Sequence, residues 1–553
     1  MRWRGSWRLA AVAALVVAGA VPVAVYAGSS TLVGDNARTL TLSLPGPFNG
    51  CTYLDAGTTP TMNAVNDLVV PSAFQTTPVD GLVGAGGPIA SAELTSLSPE
   101  TVVYTIAPHQ RWSNGQPFTV RDLVAWWQRA RTLASVVSDG YRDISSMKVA
   151  ANDRSVTATF GDPYADWNVL FRDVQWRGAP MGCALGDLLR RPSLGPYDVV
   201  SATRSRIVLV MNRHWPTDTT RFGRLVLLAG NNVPSGPTVA FAGYSLRVNR
   251  AAFDTLSAHP WLLSHLGSAS SIEELAFAPL RPLTRRTALR KALAWALNRQ
   301  ALINQLWGAV TFLPTVANSA LFSQGQIGYP GGSGSPPTVP GAPSSTTTTV
   351  TATPTLGDCP ACAVAVFEAA GYHRSRQGWR NEHGALLTIR VAVAPGSINH
   401  ATARILVRQW RDAGVAVHEV GASSNETASR LAATNRVDVA LFTRPTGTSP
   451  AYSARSWSGA PYPDAFATGF SSTVTNSLFQ SALATFNPVT ALSTWHVFDH
   501  AVMSSFWVRP LFTAPSLIEW TGSMAGVEGA LSVPGFVDQI PGWTTATPGS
   551  SGN

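Results

Sequence analysis

Cysteine and histidine are the residues whose spacing in this chain comes nearest to known chemistry. Cys359-Pro-Ala-Cys362 has the two-residue gap of a thiol-exchange pair, and His373 and His383 follow it, so a redox pair and a zinc site both have to be weighed. The intervals to the histidines do not fit a zinc-finger pattern, and no thioredoxin-like context surrounds the motif, so it reads as a structural staple. Other chemistries lack their motifs. The two lysines, Lys148 and Lys291, do not follow a glycine, which removes a P-loop, and neither a Gly-x-Ser-x-Gly elbow nor a His-Glu-x-x-His pair occurs. The expectation is a binding protein rather than an enzyme, with no catalytic residue, metal or cofactor.

The elements that would position a binding site are easier to read. In Arg111 to Ala130, Asn114-Gly115 is a tight-turn pair, Pro117 fixes the exit, and Thr119 with Asp122 has the form of a capping box, so a helix should begin near Val120. Leu123, Trp127, Ala130 and Ala134 recur at spacings of three and four and mark its buried face. Trp112, Trp126 and Trp127 could form an aromatic shelf, but helical spacing favours core packing. Thr39 to Leu44 alternates with period two, as a half-buried strand does. Gly195-Pro196 turns the chain into a short strand at Ile207 to Met211; Leu289, Leu293, Ala296 and Leu297 make an apolar helical stripe, and Asn298 can cap the helix that follows.

The Trp112 to Ala130 segment closely resembles the signature of the family 5 extracellular solute-binding proteins, the receptors of peptide-type ABC importers. Five further segments resemble that family in the same order: Ser193 to Trp215, Thr287 to Trp307, Ala363 to Val393, Ala401 to Val417, and Trp507 to Phe512. The resemblance implies an α/β, two-lobed periplasmic-binding-protein-like fold of type II, cluster C, with an extra subdomain on the first lobe. The implied domains are a signal peptide at 1–27; lobe I at 28–75, 190–280 and 501–543; the subdomain at 76–189; and lobe II at 281–500. Residues 325–357, rich in Gly, Pro, Ser and Thr, and the tail 544–553 are expected to be disordered. No internal repeat is visible.

The N-terminus reads as an export signal. Arg2, Arg4 and Arg8 precede an apolar run from Leu9 to Val25, with small residues near Ala27 for cleavage; a retained membrane anchor is the competing reading. There is no lipobox, since the first cysteine is Cys51. Export favours paired cysteines, Cys51 with Cys183 and Cys359 with Cys362. The formal charge of +9 falls to +6 without the three signal arginines, and the basic residues are scattered, so nucleic acid is not an expected partner. The expected location is the extracytoplasmic envelope, in the periplasmic space or at the cell surface. A membrane surface enters only through the permease or an uncleaved anchor, and the protein is expected to be a monomer.

In the family's binding mode a peptide-like solute lies between the lobes and hinge closure traps it. Peptide-binding members place a carboxylate after a strand of the second lobe to hold the peptide amine. The matching strand here is Val437 to Phe442, and the loop after it, Thr443 to Pro450, has no carboxylate but carries Arg444, which suits an anionic group or stands as a solvated loop residue. Position in segments that border the family's cleft adds Asn66, Phe74, Thr446, Tyr452 and Trp457 as ligand-binding candidates. The leading reading is delivery of a small-molecule or oligopeptide ligand to ABC transporter permease subunits. The alternative is a regulatory envelope protein binding a glycolipid or phosphoinositol-mannoside-type ligand, because Asn63 to Phe74 and Asn435 to Asp438 resemble an actinobacterial envelope lipoprotein of phosphatidylinositol-mannoside and lipoarabinomannan synthesis.

Overall fold

In the computed structural model, the strand Thr39–Leu44 buries Leu40, Leu42 and Leu44 completely, as its period-two pattern requires. The structure describes residues 39–545 except 56, 71, 73, 77–81, 85–86, 134–138, 216–221, 237, 250–257, 309–313, 331–356, 448, 459–465, 467 and 471. The signal segment, Ala134 and most of the Gly/Pro/Ser/Thr-rich stretch lie outside the described residues.

Two lobes are built on separate sheets. The first is seven-stranded, in the order Leu262–Ser268, Pro515–Thr521, Phe241–Ser245, Thr39–Leu44, Arg224–Ala229, Arg206–Met211, Tyr197–Ala202. Its central strand, Thr39–Leu44, runs parallel to both neighbours and buries Leu40, Leu42 and Leu44 on one face, while Thr39 is exposed and Thr41 half-buried on the other. The second sheet is five-stranded, in the order Ala416–Gly421, Thr388–Val393, Val439–Pro445, Ser271–Phe277, Val508–Phe512. A four-stranded antiparallel sheet, spanning Ile89 to Phe160 in sequence, forms the subdomain.

Against the subdomain sheet packs the helix Val120–Ala130, starting where the capping box places it: Thr119 N donates to the Asp122 carboxylate at 3.0 Å. Trp112, Trp126 and Trp127 are all buried, so they are core rather than a binding shelf. Asn298 likewise caps the helix Arg299–Trp307 by accepting from Ala301 N at 2.8 Å.

Several expected boundaries shift. The strand Ser271–Phe277 pairs with Val439–Pro445 and Val508–Phe512, so the second lobe begins near 270 rather than 281, and Val508–Phe512 belongs to it rather than to the first. The chain therefore crosses between sheets at 268–271 and again at 512–515. The two crossings lie side by side, with Ala269 N bonded to Ala514 O at 3.1 Å. Residues 325–330 are ordered, contrary to expectation, because Gln326 is buried and bonded to Ser323 N and to Gly447 O. Thr544–Thr545 pairs with Met524–Ala525, which takes these two residues out of the disordered tail.

The disulfide Cys51–Cys183 spans 132 residues and pins the segment after the central strand to the end of the subdomain. Gly50 lies so close to that far segment that a Cβ would meet Ala184 O at 2.0 Å. In the chain-entropy account a loop of this length contributes about 5 kcal/mol, against about 2 kcal/mol for the three-residue separation of Cys359–Cys362. Replacing Cys51 and Cys183 together by Ala is expected to lower unfolding free energy in urea by roughly 2–5 kcal/mol, and replacing Cys359 and Cys362 by less.

Candidate functional site

Strand alternation fixes the chemistry beside the crossings. Glu273 and Glu274 are adjacent and both fully buried, so their side chains leave the sheet on opposite faces. Glu273 accepts from Thr443 Oγ1 at 2.7 Å and from Arg247 of the first lobe at 3.0 Å; burial pushes its carboxyl above the usual range, and Arg247 pulls it back. Glu274 takes a two-pronged pair from Arg444, with Nε and Nη2 each at 3.0 Å. Arg444 Nη2 also donates to Ala320 O.

This corrects the reading of Arg444 as a loop residue. Its strand runs from Val439 to Pro445 rather than from Val437 to Phe442, and Arg444, 1% exposed, faces Glu274. Two of its three guanidinium nitrogens are bonded to protein groups, and Nη1 is buried without a protein acceptor. The pairing was invisible in sequence because the partners lie 170 residues apart.

Thr446 is fully buried and ties the segment after the strand to the first crossing, with its N–H donating to Ser270 O at 3.0 Å. Ser453 Oγ returns to Thr446 O at 2.8 Å from the short helix Pro450–Ala454, which also carries half-buried Tyr452. Gly447 sits at φ +65°, and a Cβ there would meet the Tyr452 ring at 2.8 Å. Trp457, in the turn that follows, is fully buried, and its indole N–H has no protein acceptor.

On the subdomain side, half-buried Phe74 meets Trp167 edge to face at 5.7 Å. Asp166, immediately before it, accepts a hydrogen bond from Ser449 Oγ, the same oxygen that caps the Pro450–Ala454 helix. Ala165 N donates to Leu483 O at 2.7 Å, a second tie between subdomain and second lobe. Phe74, Arg444, Thr446, Tyr452 and Trp457 thus belong to one connected set of elements. Asn66 stands apart: it is buried in the helix Pro60–Val69 and donates to Cys51 O at 3.1 Å. Sequence reasoning missed Asp166, Trp167, Ser449 and Glu274, since no local pattern marks them.

Burial raises the Asp166 carboxyl to about 6, and the Ser449 hydroxyl only partly offsets this. The contact therefore holds a proton more tightly than a solvated aspartate. Its stabilisation is complete below the ordinary carboxylate range near 4 and is lost as pH rises through about 6. The scattering radius of the ligand-free protein is expected to grow between pH 5 and pH 7, and Asp166→Asn to flatten that dependence. For the buried pair, Arg444→Met should destabilise by about 3–5 kcal/mol in urea unfolding, with much of the loss recovered when Glu274→Met is added.

Comparison with known proteins places this geometry. The family model described as "Bacterial extracellular solute-binding proteins, family 5 Middle" matches residues 89–476. The "Probable monoacyl phosphatidylinositol tetramannoside-binding protein LpqW" of Mycobacterium tuberculosis is 27% identical over 405 residues, covering 66% of this chain and 61% of that relative. The "Oligopeptide-binding protein OppA" of Mycobacterium bovis is 27% identical over 335 residues, covering 54% of this chain and 53% of that protein. The chain thus spans less than two thirds of either relative's length. Among solved structures, the periplasmic EDTA-binding protein EppA shares the fold with a TM-score of 0.75 at 18% identity, over 93% of this chain and 97% of that one. Two α/β lobes joined by paired crossings, with the family model matched across most of the chain, identify it as a member of the bacterial extracellular solute-binding proteins of family 5.

Proposed function

We propose that this protein is an exported, non-enzymatic receptor that encloses a peptide-like solute between its lobes and presents it to the permease of an ABC importer. The observation that carries the reading is the double crossing at 268–271 and 512–515, where two short extended segments link lobes that each have their own sheet. Such a joint opens by small rotations in a few residues without breaking either core. Ligand contacts are assigned to Phe74, Thr446, Tyr452 and Trp457, with Arg444 presenting its remaining Nη1; Asn66, bonded to Cys51 O, is left out of the contact set. Buried donors without protein acceptors, at Arg444 and Trp457, favour a solute rich in acceptor oxygens such as peptide carbonyls.

A second reading has its own support. The 443–450 segment has no carboxylate to hold a peptide amine, and the match to LpqW, named for binding a phosphatidylinositol tetramannoside, covers more of this chain than the match to OppA. Mannosyl hydroxyls would also supply acceptor oxygens. The envelope location is part of both readings; among the described residues no helix is long and apolar enough to cross a membrane. Native purification followed by mass spectrometry of the bound material separates the two: a peptide mixture is expected, and a mannosylated phosphoinositide would transfer the protein to the second reading.

A further inference from the structure

Glu273 and Glu274 are neighbours in one strand, yet they are served unequally. Both oxygens of Glu274 are taken by the two-pronged contact from Arg444, a residue of the same lobe. Glu273 is fully buried too, but only its Oε2 is bonded, to Thr443 Oγ1 at 2.7 Å and to Arg247 Nη2 at 3.0 Å. Its Oε1 is buried without a protein donor. A carboxylate oxygen left unused inside a fold retains its desolvation cost, so Glu273 has capacity for a cation that serves it better.

The partner it has is poorly fitted. Arg247 reaches Glu273 from the first lobe through one nitrogen, and its Nε is buried without an acceptor. Its backbone lies in the left-handed region at φ +56°, which a residue with a side chain adopts at a cost. The Arg247 side chain is 21% exposed and that of Glu273 not at all, so the guanidinium is the outer group and its withdrawal uncovers the carboxylate.

The cradle around that guanidinium suits a smaller cation. Arg247 Nη2 also donates to Asn399 Oδ1, in the first turn of the helix Ser397–Asp412, so two acceptor oxygens of the second lobe converge on one nitrogen. Both acceptors are held in place: Asn399 Nδ2 donates to Pro395 O at 2.8 Å, and Thr443 Oγ1 fixes Glu273 Oε2. A primary ammonium has three hydrogens, enough for Asn399 Oδ1, Glu273 Oε2 and the unused Oε1.

We propose that Glu273 and Asn399 form the subsite for a primary ammonium group of the solute, and that Arg247 stands in for that group until the solute displaces it. This rests on the receptor reading above and adds the chemical class of the solute, one with a free amine at a peptide terminus or on a side chain. Displacement exchanges one ion pair for another, so Glu273 is not left buried alone, and Arg247 passes to water, which hydrates it. A contact between lobes thereby becomes a contact between one lobe and the solute.

The test is native mass spectrometry of the full chain with three random pentapeptide libraries. The first lacks lysine and arginine and has free amino termini, the second is the same library N-acetylated, and the third is N-acetylated with lysine included. The first should be retained at least about tenfold more than the second. Retention of the third above the second would support the subsite with a side-chain ammonium as occupant. Glu273→Gln, which keeps the shape of the side chain and is checked for folding by urea unfolding, should abolish the preference for amines. Arg247→Gln should raise retention of the amine-bearing library about threefold to tenfold, because no stand-in competes, whereas loss of a purely structural tie would lower it or leave it unchanged. Equal retention of all three libraries, or an undiminished amine preference in Glu273→Gln, would overturn the subsite and leave the receptor reading standing. Unchanged or lowered retention in Arg247→Gln would overturn the stand-in, and retention of no library by the parent chain would overturn the peptide reading and the subsite with it.

Discussion

Two neighbouring carboxylates, Glu273 and Glu274, sit without solvent contact in a strand that forms one side of the joint between lobes. An unpaired buried charge is among the most costly features a fold can carry, so each carboxylate must find a cation on its own face of the sheet. Arg444 comes from the adjacent strand and Arg247 from the other lobe. One pair thus belongs to a single lobe, while the other is completed only when both lobes are in place. Register is locked for the same reason, because a one-residue slip would exchange the two faces and strand both charges.

Around that joint the structure divides interactions by strength. Within each lobe the sheets are packed by aliphatic and aromatic side chains sealed from water, and polar ties also join the lobes, among them Asp166 with Ser449, Ala165 with Leu483 and Asn249 with Ser397. Breaking polar contacts that water can replace requires much less free energy than opening an apolar core.

Much of the architecture was legible in sequence where the signal is local. Leu40, Leu42 and Leu44 announce their strand by alternation, Thr119 and Asp122 mark a helix start, and Asn298 marks another, because these interactions join residues a few positions apart. The candidate site was only partly legible. Arg444 was found by type, but its partner Glu274 and its strand setting were not, since cross-strand pairing is decided by register between distant segments. Asp166 escaped notice for the same reason: its meaning lies in Ser449, 283 residues away. The lobe boundaries slipped because the pairing of Ser271–Phe277 and Val508–Phe512 is decided by contacts with distant strands and not by any local pattern.

The strand order of the first lobe has a consequence for the chain as it is made. Pro515–Thr521 lies between Leu262–Ser268 and Phe241–Ser245, so three strands of that sheet cannot meet until the final tenth of the sequence is present. Leu262–Ser268 has no other neighbour in the sheet to wait beside. Synthesis from the N-terminus therefore leaves the first lobe unfinished until Pro515–Thr521 has been made.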